Sequence, residues 1–353
     1  MDGSGREGRA PEGAYLLLVV APLLWSGNFL AGRLLAGSLP PVTLSLARWL
    51  VATPVLLALA RRQGLGLPPR SARPVLAWMG LSGVALFTPA VYLALHTTAV
   101  FRATLLQSTT PVFGLLLAAL AGMRPGWRQV AGALATVAGV AMILLAPAGG
   151  RGGGGPGGVR AGDVLMLLAA LFWAVYTLGA ERAAGTWRAA LRARGEGGEA
   201  GVALGVTAWS ALAGLPPLAL LTALEWLAGG AWKAAYGAGP RLVVGAPALA
   251  GVLYVALGAS VLATWAWNGG VGRIGSARAI SFNNLLPVFS ALWGSLLLHE
   301  RPDGWSLGGG LLVVGGVSLA ARGGAAGARS ATGAPAAGAA GEGLPAPEPG
   351  KEA

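Results

Sequence analysis

RATLLQSTTPVF at residues 102–113 and RAISFNNLLPVF at residues 278–289 write one pattern twice. Arg, Ala, Pro, Val and Phe coincide, and the polar pair Gln107–Ser108 falls opposite Asn283–Asn284. Two further pairs keep the same order along the chain. GWRQVAGALATVAGV (126–140) echoes GWSLGGGLLVVGGV (304–317), and LLWSGNFL (23–30) echoes LFWAVYTL (171–178). Apolar residues match one another cheaply, but a shared Arg, a shared polar pair and a shared Pro-Val-Phe do not. The chain therefore reads as two halves of one design.

The surroundings of these segments say which solvent the halves live in. Charged residues are 11% of the 353, hydrophobic residues are 55%, and mean hydropathy is +0.65. Soluble domains carry about 25% charged residues. A chain this poor in charge cannot cover a water-facing surface of that size, so the bilayer is its solvent. About 30 Å of hydrocarbon needs about 20 apolar residues at 1.5 Å each. Ten such runs occur: 14–32, 40–60, 74–95, 103–122, 129–148, 164–180, 201–224, 242–268, 279–298 and 305–321. The expected fold is an all-α integral membrane protein of ten transmembrane helices. Five helices per half is an odd number, so the second copy must enter the membrane upside down, giving two inverted five-helix repeats of the kind secondary transporters use.

The first repeat is assigned to 13–148 and the second to 162–322, joined by a glycine-rich linker at 149–161. Residues 1–12 and 323–353, rich in Gly, Ala, Pro and charge, read as disordered tails. The first run is longer than the core of a cleavable signal peptide, so it is taken as a span. The stretch 181–200 reads as a charged loop with room for a short amphipathic helix around Trp187. With both termini in the cytoplasm, 17 Lys and Arg fall on the inner side and 7 on the outer. That excess favours this orientation, in the plasma membrane.

At this point the sequence resembles the drug/metabolite transporter superfamily of EamA type. The carrying motifs are Trp25-Ser-Gly-Asn28-Phe29, Pro41 through Arg48-Trp49, the two Pro-Val-Phe segments, and Leu298-His299-Glu300-Arg301-Pro302 before the last span. The resemblance covers 14–321 and implies ten helices, cytoplasmic termini and movement of amino acids and related metabolites. The first half departs from the pattern, with Met123-Arg124-Pro125 and no acidic residue there.

Polar groups inside apolar runs are the candidate site, because each is expensive to leave in lipid. Trp25, Asn28, Phe29 and Gly32 share one helical face by their spacing. The Asn28 amide needs a partner there, either a neighbouring helix or a substrate. Trp173 and Tyr176 form the corresponding face of the sixth span. Pro111 and Pro287 each deprive a carbonyl of its donor, that of Gln107 or Asn283. Such a break is tolerated at depth where polar groups or water satisfy it, which makes Gln107, Asn283 and Asn284 candidates or leaves a simple kink. Arg48 is the full charge within a span, unfavourable there by about 2.5–3.5 kcal/mol, and must face a cavity or a partner. It binds a substrate carboxylate or caps carbonyls within the bundle. Tyr92 is placed to line the same space or to anchor at an interface.

Composition also excludes. The net charge of +12 is scattered singly between apolar runs and forms no basic stripe, so no nucleic acid is expected. Cysteine is absent, and His96 and His299 lack metal-ligand spacing, so neither metal nor cofactor is expected. The run GGRGGGGPGG lacks the Lys and Ser/Thr of a phosphate-binding loop. No carboxylate lies inside the first six spans, which argues against cationic drugs as substrate. The reading is a secondary transporter, in the exporting direction, of a small polar metabolite such as an amino acid. Its partners are that metabolite and membrane lipids, with a homodimer left open. A sensor or structural membrane subunit is the alternative, and a membrane transferase, which needs clustered carboxylates or a His motif, is weaker.

Overall fold

A backbone in hydrocarbon must bond to itself, and each apolar run does so as a helix. The computed structural model describes residues 12–146, 158–229, 242–300 and 303–332, and among them there is no strand. The helices are α1 Glu12–Leu35, α2 Pro41–Arg62, α3 Arg70–Ala94, α4 Val100–Leu120, α5 Trp127–Leu144 and α6 Ala161–Arg194. They continue as α7 Glu199–Leu227, α8 Ala246–Ile274, α9 Leu285–Leu297 and α10 Gly304–Thr332. Among the described residues nine helices, all but α9, are long and apolar enough to cross a membrane. The expected ninth run is divided: a turn at Ser276–Ala279 and a 3-10 segment at Ile280–Asn284 lead into the 13 residues of α9.

Two expectations need correcting at the edges. Residues 181–194 are no loop, because α6 runs unbroken for 34 residues to Arg194. Ala183, Trp187 and Leu191 repeat every four residues and bury one face beside Leu65 and Val202, while the charges take the opposite face. Trp187 ends 1% exposed. At the other end of the chain, α10 continues to Thr332, into the stretch expected as a tail. The remaining tail residues, 1–11 and 333–353, and the linker through 157 lie outside the described residues.

Two helices depart from α geometry in corresponding places. Helix α3 carries a π segment at Gly80–Leu86, and α8 carries one at Tyr254–Leu262. Helix α4 is interrupted at Ser108–Thr109, just before Pro111. The carbonyl that Pro111 leaves free, that of Gln107, accepts from the Thr110 hydroxyl at 2.8 Å.

The packing also repeats. Helix α1 lies against α8 and α9, and α6 lies against α3 and α4; α2 pairs with α7, α4 with α9, and α5 with α10. Adding five to each helix number maps this set of pairings onto itself. Small residues set the α5–α10 contact: a methyl on Gly139 would lie 2.5 Å from the Gly309 carbonyl, and one on Gly132 would strike the Gly316 carbonyl.

The two ends of the bundle differ in chemistry. At the end where α2 finishes, Leu65 is 3% exposed against Gly205 and Trp187, and Gln63 meets Gly201. At the end where α2 begins, carboxylates hold helix starts. Glu225 of α7 accepts from the backbone N–H groups of Val42 and Thr43 at 2.9 and 2.8 Å, and from the Thr43 hydroxyl at 2.7 Å. Glu300 accepts from the N–H of Val100, the first residue of α4, at 3.0 Å. Arg102 and Asp163 form a buried two-pronged ion pair at 2.9 and 2.6 Å. These anions sit where exposed N–H groups and the helix dipole favour negative charge.

Candidate functional site

Arg48 occupies the middle of α2 and is 6% exposed. Its Nε donates to Ser260 Oγ at 2.6 Å, and its Nη1 donates to Asn28 Oδ1 and to the Tyr92 hydroxyl, both at 3.1 Å. The Tyr92 hydroxyl in turn donates to Asn28 Oδ1 at 2.7 Å. Four helices, α1, α2, α3 and α8, thus meet at one guanidinium, three from the first half and one from the second. Arginine only donates, so the amide atom facing it must be the oxygen, which fixes the orientation of Asn28. Three ion pairs occur among the described residues, and none involves Arg48. The charge is held by neutral oxygens and by the Trp49 ring, whose centroid lies 5.1 Å away.

The two π segments place this cluster. An i→i+5 turn leaves backbone carbonyls without their usual donors, so side chains take them. Ser260 Oγ donates to the Val255 carbonyl at 2.7 Å inside the α8 segment and accepts from Arg48. Thr88 Oγ1 donates to the Val84 carbonyl at 2.6 Å at the edge of the α3 segment and accepts from Trp49 Nε1 at 3.3 Å. Adjacent residues of α2 are therefore fastened to different π segments. The Trp25 indole donates to the Ala259 carbonyl at 3.1 Å, again within the α8 segment, and its ring lies 5.5 Å from that of Trp267.

Of the residues singled out in the sequence, Asn28, Arg48 and Tyr92 are directly bonded, with Trp25 joined through the α8 segment. Trp173 and Tyr176 form a second group: their rings stack at 4.7 Å, and Phe87 of α3 lies 4.7 Å from Trp173. Tyr176 presses on Gly83, where a methyl would collide with its ring. The remaining three stand apart from both groups in their hydrogen bonding. Gln107 Nε2 donates to Thr110 Oγ1 within its own helix at 3.1 Å, and its Oε1 is buried without a partner among the described residues. Asn284 Nδ2 donates to Ser318 Oγ of α10 at 3.2 Å, and Asn283 is exposed.

Ser260, Thr88 and Trp267 belong to this arrangement, and sequence reasoning missed them. Ser260 and Thr88 sit in apolar runs where a hydroxyl can satisfy itself on its own helix, so nothing in their context demanded a partner. Trp267 stands at the end of the apolar run 242–268, where an aromatic side chain is as usual at a membrane interface as in a cluster.

Comparison with known proteins agrees with this architecture. The EamA-like transporter family matches residues 13–145 and again 160–322. An uncharacterised transporter of Archaeoglobus fulgidus is 29% identical over 307 residues, covering 86% of this chain and 96% of its own length. A protein of Streptantibioticus cattleyicolor named as a probable terminal-alkyne amino-acid exporter is 27% identical, over 86% of this chain and 91% of its own. Among solved structures, one crystal structure at 23% identity covers 87% of this chain and 96% of its own with a TM-score of 0.54, which speaks for the fold.

Proposed function

The chain belongs to the EamA-like transporter family, and from that premise we propose that it is a secondary transporter exporting a small polar metabolite such as an amino acid. It is a multi-pass membrane protein, and transporter-named relatives match it nearly end to end. One observation carries the proposal: a buried polar cluster in which Asn28, Arg48 and Tyr92 of the first half meet Ser260 of the second. Polar groups kept inside a membrane protein at such a junction mark a substrate path.

In this proposal α9 with its 3-10 lead-in serves as the tenth membrane element, and the halves are inverted. The ends of the helices support inversion. Helix α6 finishes beside the end of α2, which is also where α1 begins if the chain crosses once per helix. The first helix of the second half then runs opposite to the first helix of the first. Alternating access follows by rocking one half against the other about the cluster. Export is favoured by a relative whose printed name states that direction, and cytoplasmic termini by the basic excess. The test is counterflow in proteoliposomes of the full chain, preloaded with each of a panel of amino acids, amines and organic acids. Saturable exchange of at least one compound, absent from protein-free liposomes, is the expected result. Protein that is inserted and monodisperse yet exchanges nothing in the panel overturns the transporter reading.

A further inference from the structure

The hydrogen-bond ledger at Arg48 is unbalanced in one direction. Ser260 Oγ accepts from Arg48 and donates to Val255. The Tyr92 hydroxyl accepts from Arg48 and donates to Asn28, and Asn28 Oδ1 already accepts from both. Both hydroxyls thus spend their one O–H on a neighbour, and the Asn28 oxygen is full. The N–H donors are not all spent: among the described residues neither Nη2 of Arg48 nor Nδ2 of Asn28 has a hydrogen bond. These two nitrogens carry four N–H bonds between them. Their residues are only 6% and 7% exposed, yet neither nitrogen is among the fully buried unpaired atoms, so each still reaches open space. The guanidinium charge also lacks a carboxylate, as no ion pair among the described residues includes it.

A site with four spare N–H bonds, no spare O–H and one unmatched positive charge complements a monoanion. We propose that Arg48 Nη2, aided by Nδ2 of the Asn28 amide that Nη1 already contacts, binds the carboxylate of the transported metabolite, so that the substrate supplies the counter-ion the protein lacks. This rests on the transporter reading and names the substrate class at its site. A carboxylate brings one negative charge and two acceptor oxygens in a plane that the guanidinium matches. A doubly charged phosphate would leave one charge uncompensated, and an organic cation would be repelled. The Ser260 and Tyr92 contacts are then positioning contacts: they take Nε and Nη1 and leave Nη2 as the free edge.

The test compares each amino acid with its carboxamide and its amino alcohol, which keep the side chain and amine but lose the anion. The probes are the twenty standard L-amino acids with those two derivatives of each, used as competitors in counterflow and as ligands in thermal-shift measurements on the full chain. Transported acids should compete about ten-fold or more better than their amides, the range of a lost charge-assisted hydrogen bond. Arg48→Gln should bring acid and amide within about two-fold, and Arg48→Lys should keep part of the preference. Acids and amides competing equally in the natural sequence overturn the carboxylate assignment while leaving the transporter reading intact. A preference that survives Arg48→Gln overturns the role of Arg48. Exchange of no compound at all overturns both. Because the acid-to-amide ratio needs no variant, failure of Arg48→Gln to fold does not shield the proposal.

Discussion

Asn28 Oδ1 holds two donors at once, so removing it strands both. In Asn28→Leu the Tyr92 hydroxyl and one Arg48 N–H lose their acceptor in a buried place, and an unmade buried hydrogen bond costs about 1–3 kcal/mol. Thermal unfolding in detergent should show that loss, whereas Tyr92→Phe, which removes one donor and one acceptor together, should be milder. An Asn28→Leu protein as stable as the natural one would show that the cluster is not closed as described. At the end of the bundle where α2, α4 and α6 begin, burial pushes the Glu300 carboxyl above the ordinary carboxylate range, against the opposing pull of the Val100 N–H and the Arg33 charge. A raised folded value means a contribution present in full below the unfolded pKa and lost as pH rises through the folded one. Stability should therefore fall on raising pH from the ordinary carboxylate range upward, and Glu300→Gln should flatten that dependence; an unchanged slope in the variant refutes the assignment. How far the site was legible follows from the same energetics. Asn28, Arg48 and Tyr92 stood out because a polar group without water must find a partner, but Ser260 satisfies Val255 on its own helix and gave no such signal.

At the scale of elements, the spans could be read because twenty apolar residues have few other uses, and the π segments could not. Tyr254–Leu262 has the composition of any membrane α-helix; what distinguishes it is the neighbour it meets, with Tyr254 standing over Gly27 of α1 and donating to the Leu24 carbonyl at 3.0 Å. The length of α6 was hidden for a related reason. Charges at Glu181, Arg182 and Arg188 suggested a loop, yet the stripe of Ala183, Trp187 and Leu191 had the helical period all along. Trp187→Ala should accordingly cost about 3–5 kcal/mol, as for a large aromatic removed from a core. The α5–α10 contact makes a sharper test of element packing. Gly139→Leu places a side chain where the Gly309 carbonyl already sits, and overpacking of this kind costs about 1–3 kcal/mol. Gly114→Leu, at a position with nothing within 4 Å, is the control and should unfold at the temperature of the natural sequence. Equal melting of both variants would mean that α5 and α10 do not pack through their glycines.

For the molecule as a whole, the sequence repeat announced two halves, but only the contacts at helix ends bear on how they are set. The anions divide the molecule into unlike ends. Glu225, Glu300 and the Arg102–Asp163 pair gather where α2, α4 and α6 begin, and Gln63 to Leu65 meet Gly198 to Gly205 where α2 and α6 finish. In the proposed orientation, drawn from the basic excess, the second of these ends faces the cytoplasm. The absence of cysteine makes that assignment directly measurable, since any thiol introduced is the only one present. Gln63 and Glu196 are exposed at the proposed inner end, and Gly37, with nothing within 4 Å, is exposed at the proposed outer end between α1 and α2. Single variants Gln63→Cys, Glu196→Cys and Gly37→Cys should therefore separate cleanly. On intact cells a membrane-impermeant maleimide should label Gly37→Cys alone, and on inside-out vesicles it should label Gln63→Cys and Glu196→Cys instead. The reverse pattern turns the molecule over without disturbing its fold. Gln63→Cys and Glu196→Cys reacting from opposite sides would be a deeper failure. Those positions belong to different halves and share one end only if α6 runs against α1, so that result would remove the inverted repeat and, with it, the rocking of one half against the other.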